Sequence, residues 1–340
     1  MIPVLYTLAA LALSAYVALD GFDLGAGALH LWIAKNDSER RTVMAAIGPF
    51  WDGNEVWLIA SAGLLFAVFP AALAIAFSGF YLALFLVVWS LLLRAVSIEL
   101  RSHVASPLWS AFWDFVFCAS SGTLTILFGV ALGNLLRGVP TEGARWFTLP
   151  LFTTFRPRPP VGLLDFYTVT VGAFSSIALA HHGALFLTWK TAGPVRDRAE
   201  RFAARLFPAV LVLLVGVFLA TEAVLRFVPA VRAVPIVALA VAALIASAAF
   251  RRRGRERAAF LASCAFLVLA LGSVAATLFP TLLRSIDGLH DLTAYDAAAK
   301  PYGQWSALFW LPMALILVAI YFANLFRIYR GKVNSAEGDA

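Results

Sequence analysis

Residues 47–57 read IGPFWDGNEVW and continue directly into LIASAGLLFAVFP, so two carboxylates stand inside an otherwise apolar segment. Asp52 and Glu55 are three residues apart, which places them on one face of a helix. An ionisable side chain in a membrane-spanning helix costs on the order of 3 kcal/mol and by default indicates function. The segment therefore predicts a membrane span with a functional site inside it.

The apolar composition extends over the whole chain. Of 340 residues, 62% are hydrophobic and 13% are charged, with a mean hydropathy of +0.87, whereas soluble proteins carry about a quarter charged residues. Apolar runs of about 18 or more residues recur, and no hydrophilic stretch is long enough for a soluble domain. We therefore predict an all-α integral membrane protein with a single membrane domain over 1–340. The first apolar run lacks a preceding basic region, so it is interpreted as a span and not as a cleaved signal peptide.

We predict nine membrane spans from the apolar runs. They are 3–33, 46–69, 71–97, 112–136, 164–189, 204–227, 232–250, 258–283 and 306–328. The tripeptide GAL lies near the end of the first span at 27–29 and recurs near the end of the fifth at 183–185. In both cases the following span ends in an FP or F-x-P element. This echo predicts two pseudo-symmetric four-helix bundles, 1–136 and 164–283, with a peripheral ninth helix at 306–328.

The basic residues predict the orientation of the chain. When Lys and Arg are assigned to alternate loops, 18 of the 26 fall on one side of the membrane, and the positive-inside rule assigns that side to the cytoplasm. The N terminus is therefore predicted outside and the C terminus in the cytoplasm. This distribution accounts for the net charge of +7, so we expect no nucleic-acid partner. The run RRRGRER at 251–257 is interpreted as a topology anchor.

A second pair of acids, Asp20 and Asp23, stands in the DGFDLG segment of the first span. The predicted topology places both acidic pairs in the cytoplasmic half of the membrane on adjacent antiparallel spans. Any one acid could equally have a structural role, such as supporting a kinked backbone. Four carboxylates at one depth exceed what helix packing needs, so we predict a proton-uptake path formed by Asp52, Glu55, Asp20 and Asp23.

The third span brings Arg94 and Glu99 to the same side, where we predict a structural ion pair. His30, His181 and His182 are the candidate haem ligands within the spans, but adjacent residues point about 100° apart on a helix, so His181 and His182 cannot both bind one iron. We predict hydrogen-bonding roles for the histidines and no metal or haem ligated by this chain. The two cysteines match no metal-binding pattern and are interpreted as small buried hydrophobes.

Five sequence blocks between residues 20 and 101 carry a resemblance to a known family. In order, DGFDLGAGAL, IGPFWDGNEVW, FAVFP, SGFY and LLLRAVSIELR resemble subunit II of the bd-type quinol oxidases, including the cyanide-insensitive branch. The later blocks HHGALFLTWKT and TLFP agree less specifically. The resemblance implies a multi-pass protein of the bacterial inner membrane, with a periplasmic N terminus. It also implies a complex that oxidises quinol and reduces oxygen to water with cytoplasmic protons.

The resemblance further implies a heterodimer in which subunit I carries the haems. These are haem b and, in most members, haem d, while subunit II ligates none and contains no catalytic residue. The family places Asp52 on a proton path at the interface of the two subunits and Trp57 beside a hydrophobic oxygen route. Glu55 stands where some members have glutamine, so its role is less firmly implied. Some members hold a structural quinone in subunit II, and some complexes include a small single-span accessory subunit beside membrane lipid.

A proton-coupled secondary transporter is the alternative function. Such proteins also combine internal repeats, glycine-broken helices and buried carboxylates. Their charged residues cluster at the midplane between repeats, whereas the acids here are predicted in the cytoplasmic half of the first repeat. A haem spectrum that co-purifies with the chain would favour the oxidase, and a colourless protein that binds a solute would favour the transporter.

Overall fold

The computed structural model describes residues 1–141, 146–225 and 231–333, and most of this length is helical. The helices are α1 (Ile2–Ala28), α2 (His30–Ile33), α3 (Asp37–Ile47), α4 (Trp51–Val68), α5 (Pro70–Gly79), α6 (Tyr81–Leu100), α7 (Pro107–Arg137), α8 (Phe166–Lys190), α9 (Gly193–Leu225), α10 (Val234–Arg252), α11 (Glu256–Leu278) and α12 (Pro301–Ile328). Two short antiparallel strands, β1 (Thr281–Leu283) and β2 (Leu292–Thr293), lie between α11 and α12. The prediction of an all-α membrane protein is confirmed.

Eight helices of the described residues are long and apolar enough to cross a membrane, namely α1 and α6 to α12. Helix α4 has 18 residues, but Asp52, Asn54 and Glu55 stand in its first two turns and lower its hydropathy. Helix α4 corresponds to the predicted second span, which stays a prediction, and each of the other eight predicted spans overlaps one of these eight helices. The last two residues of the predicted sixth span, 226 and 227, lie outside the described residues.

Several predicted boundaries are wrong because the helices break where apolarity continues. The first predicted span stops at Ala28 and is followed by the separate turn α2, and the second begins at Trp51 because 37–47 forms its own helix. The third is divided into α5 and α6 at Gly79, where an added Cβ would lie only 2.2 Å from the ring of Phe147. Hydropathy depends only on composition and carries no information on such packing contacts. The prediction from hydropathy therefore treated these separate helices as continuous spans.

The predicted eighth span is also too long. Helix α11 ends at Leu278, and residues 281–283 form β1 instead of a last helical turn. Aromatic packing marks this end of the helix, because the ring of Phe279 lies edge-on to Tyr6 at 5.1 Å between centroids. The apolar residues after Leu278 therefore cover the end of the bundle and do not extend the span.

Helices α1 and α8 form the centre of the bundle. Helix α1 contacts α4, α7, α8 and α11, and α8 also contacts α7, α9 and α11. The two central helices cross closely, since a Cβ on Gly25 would lie 1.9 Å from the carbonyl oxygen of Leu179, and one on Gly183 would lie 2.3 Å from the amide nitrogen of Ala26. Glycine is required at both positions because only the absence of a side chain allows the two backbones to approach this closely.

The other helices are arranged around this central pair. Helix α6 packs on α7, α10 packs on α11, and α12 contacts α4 while exposing most of its side chains. A buried apolar cluster joins α8, α9, α10 and α11 through residues such as Leu179, Val210, Leu244 and Phe266. The division into pseudo-symmetric bundles stays a prediction.

A buried carboxylate cluster as candidate functional site

A single buried guanidinium joins three helices of the bundle. Arg94 of α6 is fully buried, and its Nη1 donates to Asp20 Oδ1 of α1 at 2.7 Å. Its Nη2 donates to Glu55 Oε2 of α4 at 3.3 Å. Charge-assisted hydrogen bonds of this kind are about twice as strong as neutral ones. Two of the four predicted acids therefore meet at Arg94, near the C-terminal ends of α1 and α6 and the N-terminal end of α4.

The predicted ion pair between Arg94 and Glu99 is wrong. Residues five positions apart on a helix point about 140° away from each other, so Glu99 lies on another face of α6 and is exposed. Arg94 points into the bundle, where its charge is paired by acids from α1 and α4. The closeness of Arg94 and Glu99 in the sequence therefore did not predict a contact between their side chains.

Asp23 lies one helical turn beyond Asp20 and has a different partner. Its Oδ2 accepts a hydrogen bond of 2.7 Å from Asn54 Nδ2, which also donates to the carbonyl oxygen of Leu19 at 3.2 Å. Asn54 is fully buried, and sequence reasoning did not select it. The sequence did contain a signal for Asn54, because it is a third polar residue, between Asp52 and Glu55, in an otherwise apolar segment.

Asp52 is the predicted acid that does not enter the buried cluster. It lies in the first turn of α4, where the helix dipole favours a negative charge. Its side chain is exposed on the surface of this chain and makes no hydrogen bond or ion pair with another described residue. Because Asp52 and Glu55 are three residues apart on α4, the pair leads from this surface to Arg94.

Six buried polar atoms around this site have no hydrogen-bond partner among the described residues. They are Tyr16 Oη, Asp20 Oδ2, Asp23 Oδ1, Asn54 Oδ1, Trp57 Nε1 and Arg94 Nε. Buried polar groups are nearly always paired, so such a concentration of free donors and acceptors is unusual. A group of this kind can hold hydrogen-bonded water and exchange protons through it.

Trp57 belongs to α4, and its side chain lies on the side of that helix that faces α12. It is half-buried, and its ring is 6.3 Å from that of Phe322. One turn earlier, a Cβ on Gly53 would meet the Tyr321 hydroxyl at 2.9 Å, so α12 approaches α4 closely here. The surroundings of Trp57 are thus mostly apolar, although its buried indole nitrogen has no hydrogen-bond partner among the described residues.

Comparison with known proteins identifies the family. Residues 1–329 match the family model described as cytochrome bd terminal oxidase subunit II. The chain belongs to this family. The family that the sequence resemblance indicated is therefore confirmed. Membership of an oxidase subunit family argues against the alternative of a secondary transporter. Family membership also agrees with the eight apolar helices, which indicate a multi-pass membrane protein.

Individual relatives of this subunit II family cover much of the chain. The probable cytochrome oxidase subunit 2 of Haemophilus influenzae is 32% identical over 310 residues, 82% of this chain and 81% of the relative. Cytochrome bd-I ubiquinol oxidase subunit 2 of Escherichia coli is 38% identical over 218 residues, 63% of this chain and 55% of that protein. Cytochrome bd ubiquinol oxidase subunit 2 of Bacillus subtilis is 29% identical over 87% of this chain and 86% of its own.

The fold is also similar to that of a solved bd oxidase. A chain in the structure of bd oxidase from Geobacillus thermodenitrificans superimposes with a TM-score of 0.75 and covers 96% of this chain and 98% of its own. The sequence identity of this pair is 16%, so the likeness concerns the fold alone.

This family member contains a second buried ion cluster, centred on Asp114 of α7. Asp114 Oδ1 accepts hydrogen bonds from His30 Nε2 at 2.7 Å and Arg101 Nε at 2.6 Å, and Oδ2 accepts one from Arg40 Nη1 at 3.1 Å. Both Asp114 and His30 are fully buried. Sequence reasoning missed Asp114, although an acid within the predicted fourth span was a visible signal.

The histidines of this subunit II chain make hydrogen bonds within the bundle, as predicted. His182 uses both ring nitrogens, with Ser263 Oγ at 2.7 Å and the carbonyl oxygen of Ala18 at 2.9 Å. His181 Nδ1 lies 3.0 Å from the carbonyl oxygen of Ala203. Among the described residues, no group of three His, Cys, Asp or Glu side chains could hold a metal ion.

Proposed function

We propose that this chain is the haem-free subunit II of a bd-type oxidase that oxidises membrane quinol and reduces oxygen to water. The proposal is supported by family membership and by relatives named as subunit 2 of ubiquinol oxidases. The haems, of b type and in the commoner enzymes also of d type, belong to subunit I. This chain stabilises subunit I and contributes part of the access for protons and oxygen.

The observation that carries the proposal is the position of Asp52 beside the Arg94 cluster. A carboxylate exposed on a membrane helix is costly when it faces lipid, so the α4 surface around Asp52 is covered by subunit I in the complex. Asp52 then lies at the interface of the subunits, one helical turn from Glu55. The interface supplies the partner that Asp52 lacks within this chain.

The remaining acids form the inner part of a proton path. Asp20 is held by the 2.7 Å bond to Arg94 and acts as its fixed counter-ion. Glu55 is held by a longer contact of 3.3 Å, and 22% of its side chain is exposed, so it can exchange protons with Asp52. Asp23 accepts from the neutral amide of Asn54 and has no cation partner among the described residues, which leaves it free to take up a proton. Protons enter from the cytoplasm, the side predicted for this end of the bundle.

Trp57 borders the route by which oxygen reaches the partner's haems. Oxygen is apolar, so it moves most readily through apolar surroundings, and the contact of Trp57 with Phe322 provides such a boundary. As further components of the complex we propose membrane lipid, a structural quinone in this subunit and a small single-span accessory subunit, as the family resemblance implies. A mass-spectrometric census of the purified complex tests these components.

The orientation is also part of the proposal, with a periplasmic N terminus and a cytoplasmic C terminus. The basic end of α10 supports it, because Arg251 and Arg252 end that helix on the side rich in Lys and Arg. Single cysteines placed near Met1 and in the 253–255 turn should react with a membrane-impermeant thiol reagent from opposite sides of intact cells. Labelling from the reverse sides would contradict the orientation.

The proton path is tested with Asp52→Asn in the assembled complex. Loss of the titrating group should reduce quinol-driven oxygen consumption by about a hundredfold or more, while the haem spectrum shows that the complex still assembles. Glu222→Gln is the matched control, since Glu222 is an exposed acid in α9, and it should retain normal turnover. Unchanged oxygen consumption in Asp52→Asn would remove Asp52 from the path.

A further inference from the structure

An apolar groove runs along the bundle between α1, α10 and α11. It has a volume of about 420 Å³ and is lined by small or aliphatic side chains, among them Ala10, Ser14, Ile236, Val268 and Gly272. Pockets that bind small organic molecules have volumes of roughly 300–1,000 Å³. The groove is therefore large enough to hold part of a lipid chain.

A cation stands at one end of this groove. Arg232 is exposed, and its guanidinium donates to the carbonyl oxygens of Ala276 and Phe279, near the C-terminal end of α11. No carboxylate in the described part of the chain pairs with Arg232. Two of its nitrogens are occupied by carbonyl groups, and the remaining N–H groups and the positive charge stay available for an anion.

Arg232 lies beside aromatic side chains of the kind found at the level of lipid headgroups. Its guanidinium lies 5.5 Å from the centre of the Phe279 ring, which contacts Tyr6 and Tyr295. Aromatic residues of this kind concentrate at the boundary between the apolar membrane and water. Helix α10 begins at Val234, two residues after Arg232, and its N-terminal backbone adds further positive potential.

We propose that a glycerophospholipid binds in this groove, with its phosphate on Arg232 and an acyl chain between α1 and α11. The guanidinium suits a phosphate because it offers paired donors to an anion with several oxygens. The apolar walls suit the chain, since Ser14 Oγ already donates to the carbonyl oxygen of Ala10 and leaves little polar surface in the groove. The site is formed by different helices from those that carry the proton path, except for α1.

The test uses the whole purified oxidase complex after removal of bound lipid. Dioleoylphosphatidylglycerol and dioleoylglycerol, which lacks the phosphate, are titrated separately, and bound lipid is counted by native mass spectrometry. Arg232→Gln should weaken binding of the phospholipid by about tenfold, as loss of a charge-assisted hydrogen bond predicts. Gly272→Phe should also weaken it by occupying the groove, because a Cβ there meets nothing closer than Ile236 at 4.0 Å.

Arg253→Gln is the matched control, because Arg253 is an exposed cation at the opposite end of α10. It should bind the phospholipid as the unchanged protein does, and Arg232→Lys should recover part of the affinity. Unchanged binding in both Arg232→Gln and Gly272→Phe would overturn the proposal. So would equal binding of the lipid without phosphate, or an equal loss in Arg253→Gln. The haem spectrum and oxygen consumption, measured on the same samples, report separately on the oxidase function.

Discussion

At the residue scale, Arg94 decides how the buried acids are arranged. It is fully buried and holds Asp20 and Glu55 from two other helices. A buried charge is tolerated only when it is paired, since desolvation of each ion costs several kcal/mol. The acids of α1 and α4 therefore keep Arg94 in place, and the charge of Arg94 allows the two carboxylates to lie close to one another.

Replacement of Arg94 by glutamine should destabilise the complex by about 3–5 kcal/mol, because the fully buried Asp20 would remain without a cation. The midpoint of thermal unfolding, followed by the loss of haem absorbance, measures this change. Arg94→Lys should be intermediate, since an ammonium retains the charge but not the two-pronged geometry. An unfolding midpoint of Arg94→Gln equal to that of the unchanged complex would show that the cluster adds no stability.

At the scale of elements, the crossing of α1 and α8 holds the bundle together. Gly25 and Gly183 bring the two backbones into contact, so α8 approaches the helix that carries Asp20 and Asp23. A second connection lies at the far end of α8, where Asp165 caps the helix and also pairs with Arg137 of α7. Both contacts orient α8 relative to the helices of the candidate site.

Gly183→Ala should lower the stability of the complex by about 1–3 kcal/mol, the usual cost of overpacking a well-filled core. The added Cβ would stand 2.3 Å from Ala26 N, and backbone atoms can move away only if the helices separate. Gly216→Ala in α9 is the matched control, because nothing lies within 4 Å of its Cβ position. Thermal unfolding compares the two. Helix propensity by itself favours alanine over glycine, so a gain of stability in Gly216→Ala with a loss in Gly183→Ala is expected, and equal changes at both sites would contradict the contact between α1 and α8 as the cause.

At the scale of the whole molecule, the surface around Asp52 is the proposed contact with subunit I. Asp52, Val56 and Ile59 follow one another at helical spacing along α4, and Val56 and Ile59 are 52% and 70% exposed. Apolar and acidic side chains on one helical face are expected where a partner protein replaces lipid. The surface would then be part of a continuous path between the subunits.

Ile59→Trp should reduce the amount of haem-bearing subunit that co-purifies with this chain, because a larger side chain disturbs a close-packed interface. Val212→Trp makes a similar change on α9, where the side chain is also 70% exposed, and should leave the complex intact. The ratio of haem to tagged subunit II measures both variants. Equal recovery of haem with the two variants would place the interface elsewhere.

The sequence by itself determined the membrane class, the approximate spans and the presence of carboxylates in two of them. These properties depend on composition and on helical periodicity, which are local. Only the tertiary structure decided that Arg94 binds Asp20 and Glu55 instead of Glu99, that Asn54 supports Asp23, and that Asp52 remains on the surface. In such cases each partner lies on another helix, and the contact depends on which faces meet when the helices pack. Helical spacing along one chain segment does not contain that information.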